Sequence, residues 1–198
     1  MWRFHGQHTR ARALLEAGAI GTLRLIRSAF TFKIDRKPNV RLVPDLAGGS
    51  LRDVGCYPVS AARFYFGNEP VRVYARGDLD PEYGVDMRVS GILEFPQGRA
   101  NIDCGFALPY RTELDIVGES GVISIPRPWL PDTEASIVVN GDPERIPEQN
   151  QYVSEFEHLS GCVLNGTPPA WGPIDSIKQM KVLDALLESI RSGMPEPV

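Results

Sequence analysis

Residues 48–58 read Gly48-Gly49-Ser50-Leu51-Arg52-Asp53-Val54-Gly55-Cys56-Tyr57-Pro58 and set a carboxylic acid and a phenol four residues apart. On a helix that spacing stacks two side chains about one turn apart. An acid beside a phenol at the mouth of a helix is equipped to move a proton to or from a hydroxyl or a carbonyl. Asp53 and Tyr57 are therefore the candidate catalytic pair. Gly55, between them, carries no side chain, so a cofactor could approach the backbone closely there. The same spacing also suits an aspartate cap followed by a half-buried tyrosine, and spacing alone leaves both readings open. The loop before the pair carries Lys33, Asp35, Arg36 and Arg41. It reads either as a solvated basic loop or as a strap whose Arg41 and Lys33 reach a substrate hydroxyl or a cofactor phosphate. Arg3, near the start, is a further candidate substrate contact.

Other reactive side chains point to less. His5 and His8 stand three residues apart with no Asp, Glu or Cys at partner spacing, so they read as structural or capping histidines and no metal is expected. His158 sits in a helical stretch beside Glu155 and Glu157. The three cysteines, Cys56, Cys104 and Cys162, are widely spaced with no C-x-x-C, and read as reduced core thiols. No G-x-G-x-x-G, G-x-x-x-x-G-K-[ST] or G-x-S-x-G occurs, so the sequence shows no phosphate cradle and no nucleophile elbow.

The elements that must position these residues follow from periodicity. Residues 7–17 read as a helix stopped by Gly18. Residues 23–34 alternate, with Ile26, Phe30, Phe32 and Ile34 on one side, which predicts a long strand with one buried face. Residues 35–49 form a long loop with Pro38, Pro44, Gly48 and Gly49. Residues 50–66 read as a short helix to about Gly55 and a second from Pro58 to Phe66, because Pro is at ease in a first turn and costly in an interior. Strands follow at 71–75, 89–95, 100–106, 114–117, 122–125 and 137–139. Pro96-Gln97-Gly98 and the Gly118–Gly121 run mark hairpins. Helices over 152–164 and 175–190 close the chain. The second carries Ile177, Met180, Leu183, Leu186, Leu187 and Ile190 as a core stripe behind an Asp175 or Ser176 cap. Strands that run together and segregated helices predict an α+β fold: a large, mostly antiparallel open sheet with helices on one face, spanning 1–198 as one domain.

With 198 residues, net charge −4 and pI about 5.4, the chain can hold one real core and lacks the basic footprint of a nucleic-acid binder. No apolar run reaches membrane-spanning length and the start has no apolar signal region, so a cytoplasmic protein with no membrane partner is expected.

Taken together, these segments resemble the C-terminal half of the Gfo/Idh/MocA oxidoreductases. The likeness covers the whole chain. It is carried by Trp2-Arg3-Phe4-His5-Gly6-Gln7-His8, Gly18-Ala19-Ile20-Gly21, Asn39-Val40-Arg41, Gly48 to Pro58, Gly67-Asn68-Glu69-Pro70, Phe95-Pro96-Gln97-Gly98, Gly118 to Ile123 and Asp175 to Arg191. Gly-Gly-x-x-x-Asp-x-Gly-x-Tyr is the most specific part. The chain is most similar to the sugar and dihydrodiol branch, which has tyrosine where inositol dehydrogenases have histidine. Gly6 departs from a frequent proline.

The resemblance implies that Tyr57 is the catalytic acid/base and Asp53 its acidic partner. It implies NAD or NADP as cofactor, bound mainly by an N-terminal Rossmann domain absent from this chain, and a sugar-like substrate. The implied reaction is hydride transfer between the nicotinamide and a carbinol carbon, with an assisting lysine from a Glu-Lys-Pro motif. No Glu-Lys-Pro occurs here; the single Lys-Pro, Lys37-Pro38, follows Arg36. The expectation is a substrate-side domain, inactive alone. The alternative is a non-catalytic binding or assembly module derived from it. One sheet face lacks an evident helix cover, so a homo-oligomer through that face is expected, since bare apolar sheet is an aggregation liability.

Overall fold

The computed structural model describes residues 1–34, 39–131 and 135–198. Asp35, Arg36 and Lys37-Pro38 of the basic loop lie outside the described residues. The order is α1 (Gly6–Glu16), β1 (Leu23–Lys33), 3-10 turns at Val40–Leu42 and Pro44–Leu46, and a π-helical turn at Leu51–Gly55 that runs into α2 (Cys56–Phe66). Then come β2 (Arg72–Leu79), β3 (Asp86–Phe95), β4 (Gly98–Gly105), β5 (Ala107–Gly118), β6 (Val122–Ile125), β7 (Ser136–Val139) and β8 (Asp142–Arg145). The chain ends with α3 (Gln151–Asn165), α4 (Pro173–Ser192) and the short β9 (Glu196–Pro197).

The described residues form one nine-stranded sheet in the order β8-β7-β6-β5-β1-β4-β3-β2-β9. Only the β1–β4 pair is parallel. This is the expected α+β fold with an open, mostly antiparallel sheet. β4 and β5 are almost continuous, yet they flank β1 on opposite sides, so the chain wraps the C-terminal end of β1. Thr31 pairs with Gly105, Lys33 with Ala107, and the Ile34 N–H donates to Phe106 O at 2.9 Å. Phe106 is buried there, edge-on to Phe32 at 5.2 Å.

One face of the sheet carries the core. Ile26, Leu93, Ala100, Leu114, Ile116 and Ile123 point to it and are fully enclosed. Each buried Ile or Leu side chain contributes roughly 1.5–3 kcal/mol. α2 and α4 cover this face. The expected break between Gly55 and Pro58 does not form: Pro58 sits in the first turn of α2, where its missing N–H leaves no helical bond unmade. α4 begins at Pro173 with Gly172 as cap, and Asp175 is engaged elsewhere. Leu183 and Leu186 are buried as expected, but Ile177 and Met180 are exposed. The core stripe is therefore the C-terminal half of the helix, where it lies over β2.

Among the described residues the opposite face is uncovered and largely polar. Arg27, Arg76, Ser90, Asn101, Asp103, Arg111, Glu113 and Asp115 line it. Arg111 pairs with Asp103 and with Glu113, the latter at 2.8 Å. Among the described residues no helix lies on this face, and what it exposes is mostly ionic and polar, with Tyr74 and Ile92 among the charges.

Candidate active site

The wrapped end of β1 and the start of the α2 helix meet at the candidate pair. The chain reaches the helix through a tight turn that only glycine allows. The Gly48 N–H donates to Val43 O at 3.0 Å and the Gly49 N–H to Arg41 O at 2.9 Å. A Cβ on Gly48 would stand 2.7 Å from the carbonyl oxygens of Arg41 and Val43, and Gly49 has φ +116°. The buried Asp86 carboxylate, reaching from β3, accepts hydrogen bonds from Ser50 Oγ at 2.8 Å and Leu51 N–H at 2.7 Å. The sheet itself thereby supplies the anion for the orphan amides of the helix start.

This turn folds Arg41 back over the helix. Arg41 Nε donates to Asp53 Oδ2 at 2.6 Å. Asp53 lies in the π-helical turn and Tyr57 in the first turn of α2. A π turn in a helix is rare and is often met at functional sites. Tyr57 is half-buried, edge-on to Phe30 of β1 at 5.3 Å and tilted against Trp129 at 5.7 Å. Its phenol is pushed up to about 12, first by burial and then by neighbouring negative groups, Asp53 among them, while the Arg41 guanidinium pulls the other way. Tyr57 is therefore a neutral O–H donor at pH 7. Cys56 is held as a thiol up to about 12 by burial, so it is no nucleophile.

The other sequence candidates separate. Gly55 is buried, and a Cβ there would meet Cys104 Sγ and Leu51 Cδ1, each at 2.8 Å. The close approach that Gly55 permits in this structure is that of the helix to β4. Arg3 donates through Nη1 to Asp175 Oδ2 at 2.8 Å and through Nη2 to Ser60 Oγ at 2.6 Å, between the rings of Trp2 and Trp171. With Arg63, which also holds Asp175 (3.0 Å), it ties the chain start, α2 and α4 together. The structure thus makes Arg3 a clamp between elements, and a substrate contact at this position would require breaking it. Lys33 is exposed at the end of β1, and among the described residues nothing joins it to Asp53 or Tyr57.

His5 caps α1 by accepting from Gln7 N–H at 3.2 Å. His8 is fully buried, with Nε2 donating to Pro128 O at 2.7 Å and Nδ1 accepting from Tyr65 O–H at 2.9 Å. The carbonyl can only accept, which fixes this tautomer. Gln7 and Gln151 donate to carbonyls of the same 127–129 segment. Together these residues hold Trp129 behind Tyr57. Sequence reasoning missed Trp129, which lies in a Pro-rich stretch with no periodicity. It also missed Tyr110 (against Phe30, 6.4 Å) and Tyr152 at the start of α3.

Among the described residues, the glycines of the 48–55 run do not form a dinucleotide cradle. The glycines that look available are filled by the protein itself: Gly48 by backbone carbonyls, Gly49 by Asp86, Gly55 by Cys104.

The GFO/IDH/MocA C-terminal domain model matches residues 8–124. The chain belongs to this oxidoreductase family. It is 33% identical to the D-xylose 1-dehydrogenase (NADP(+)) 2 of Haloferax volcanii over 98% of this chain and 61% of that protein. It is 32% identical to the trans-1,2-dihydrobenzene-1,2-diol dehydrogenase of Xenopus tropicalis, again over 98% of this chain and 62% of that protein. The solved aldose-aldose oxidoreductase of Caulobacter crescentus, complexed with glycerol, superposes with a TM-score of 0.90 at 28% identity, over 100% of this chain and 62% of that one. This Gfo/Idh/MocA domain therefore spans about three-fifths of the length of these relatives.

Proposed function

We propose that this chain is the substrate-side domain of an NAD(P)-dependent oxidoreductase acting on a sugar or a related polyol or dihydrodiol. The observation that carries the reading is the Tyr57 phenol, aimed from a π-distorted helix start, backed by Phe30 and Trp129 and flanked by the Arg41–Asp53 ion pair. The names of the relatives supply the substrate class. An aromatic wall with a few polar groups suits a ring that has apolar faces and hydroxyl edges.

Hydride chemistry belongs to the nicotinamide, which in this reading is held by residues outside this chain. These residues handle the proton. The Tyr57 O–H hydrogen-bonds the substrate oxygen and delivers its proton as a carbonyl becomes a hydroxyl; in the oxidative direction the phenolate takes the proton back. Arg41 and Asp53 are placed to tune that phenol in opposite senses and to fix its surroundings. A phenol held up to about 12 serves as an acid as it stands, and a cation brought by the cofactor domain would ready it as a base.

The test is a fusion that carries the dinucleotide-binding domain of the Haloferax relative ahead of Met1, assayed for sugar-dependent reduction of NADP. Turnover in the fusion, none from the chain alone, and loss of turnover in Tyr57→Phe support the reading. Tyr57→Phe with full turnover removes it. The uncovered charged sheet face further supports a homo-oligomer formed through that face.

A further inference from the structure

The start of β5 bulges beside the candidate site. Thr31 of β1 stands opposite Arg111 and Lys33 opposite Ala107, so Phe32 alone faces Leu108, Pro109 and Tyr110. A bulge of this kind re-aims the side chains that it carries. Two features fix it. Thr31, itself buried, donates from Oγ1 to Pro109 O at 2.7 Å. Pro109 has no N–H to offer β1, and its ring holds φ near one value. The side chain presented by this backbone is Tyr110. It lies two positions before Thr112, on the face where Leu114 and Ile116 enter the core and away from the charged face that bears Arg111. Tyr110 is 64% exposed.

A lone exposed aromatic side chain on a protein surface signifies little. Tyr110 is not alone. It stands edge-on to the buried Phe30 at 6.4 Å, and Phe30 stands edge-on to Tyr57 at 5.3 Å. A row of rings therefore runs from Trp129 through Tyr57 and Phe30 out to Tyr110, and Tyr110 is the most open of the four.

We infer that Tyr110 is a stacking platform for a second ring of the substrate, which makes the substrate a two-ring molecule: a sugar joined to another sugar or to an aryl group. The inference rests on the functional reading above and deepens it by naming the size of the substrate. The ring whose oxygen meets the Tyr57 phenol lies along the wall of Phe30 and Trp129. Tyr110 is one ring contact beyond Phe30, so what stacks on it is a further ring. Both kinds of second ring share the chemistry required, a flat apolar face to lay on an aromatic one. The Thr31 bond and Pro109 hold the platform before the ligand arrives, so binding has little backbone left to order.

The experiment titrates D-xylose, the sugar in the name of the Haloferax relative, against phenyl β-D-xyloside and xylobiose. It reads the assigned Tyr110 ring signals by NMR, in the chain alone and in the Haloferax-domain fusion with NADPH. Stacking of one ring corresponds to about two- to tenfold in Kd. The expected result is that a two-ring ligand shifts Tyr110 and binds tighter than D-xylose by that factor. Tyr110→Ala should bring the ratio to about one, and Tyr110→Phe should keep it, since the ring and not the hydroxyl makes the contact. A gain for the xyloside alone assigns an aryl group, a gain for xylobiose alone a second sugar, and a gain for both the shared stacking face. The inference is overturned if neither two-ring ligand gains in either protein, if no ligand shifts Tyr110, or if the gain survives in Tyr110→Ala. Turnover of Tyr57→Phe in the fusion is read separately. A Tyr110-dependent gain with undiminished Tyr57→Phe activity keeps the platform and removes the catalytic reading. Lost Tyr57→Phe activity with no two-ring gain does the reverse.

Discussion

At the scale of single residues, the proposed chemistry turns on one phenol and its charged neighbours. General acid/base catalysis contributes about 10²–10⁴-fold, so Tyr57→Phe is expected to lower kcat of the fused enzyme by that factor with a smaller effect on KM. The Asp53 carboxylate raises the phenol and Arg41 lowers it. Asp53→Asn should therefore move the Tyr57 titration down and Arg41→Ala should move it up, as read by NMR of the assigned tyrosine in the chain alone. In the proposed mechanism reduction uses the protonated phenol and oxidation the phenolate, so the oxidative rate should rise with pH and the reductive rate fall. His8 supplies a different pH dependence. Burial takes its imidazole down to about 3, whereas the unfolded chain takes up the proton near its ordinary value of 6.5. The stability that the neutral ring provides is present above about pH 6.5 and is lost as pH falls toward 3, at about 1.4 kcal/mol per pH unit. Urea melts between pH 6.5 and 4 should show that slope in the wild type and a shallower one in His8→Gln. Asp53 and Tyr57 were legible in the sequence because an i, i+4 pair is a local pattern. Trp129 was not, because its place behind Tyr57 depends on Gln7, His8 and Gln151, which are distant in sequence.

At the scale of elements, glycine decides how closely the site helix approaches the sheet. Gly55→Ala would set a methyl 2.8 Å from Cys104 Sγ and from Leu51 Cδ1. Overpacking of this kind costs about 1–3 kcal/mol, more than the roughly 1 kcal/mol that alanine gains over glycine in a helix. Net destabilisation, with a lowered urea midpoint, is the expected outcome; an unchanged or raised midpoint would show that β4 yields at no cost. The Gly48-Gly49 turn is the other such device, since its amides hold the Arg41 and Val43 carbonyls while Arg41 folds back onto Asp53. Periodicity located α1, β1, the β3–β4 and β5–β6 hairpins and both late helices. It placed a break at Gly55–Pro58 that the structure replaces with one continuous helix, because proline residue rules describe a first turn correctly but do not say where that turn begins.

At the scale of the whole molecule, two surfaces stand uncovered among the described residues and differ in kind. The sheet face is a lattice of Arg, Asp and Glu, whereas the outward side of α3, with Phe156, Leu159 and Val163, is apolar. A homo-oligomer through the sheet face would be held largely by ion pairs, which salt screens. Light scattering at tens of micromolar should therefore show at least a dimer in low salt that weakens in molar salt. A strict monomer in both would remove the sheet face as the oligomer contact.

The sequence by itself determined α1, strands β1 to β7, the two late helices, the α+β class, the candidate Asp53–Tyr57 pair and the lack of a phosphate-binding glycine motif, because each is a pattern of neighbours along the chain. Only the tertiary structure decided that β1 is threaded between β4 and β5, that Gly55 faces the core, that Arg3 is taken up by Asp175 and Ser60, and that the apolar side of α3 points outward. A helical repeat states that a stripe exists, but which way it faces is fixed by what lies across the gap, and that comes from residues far away in the chain.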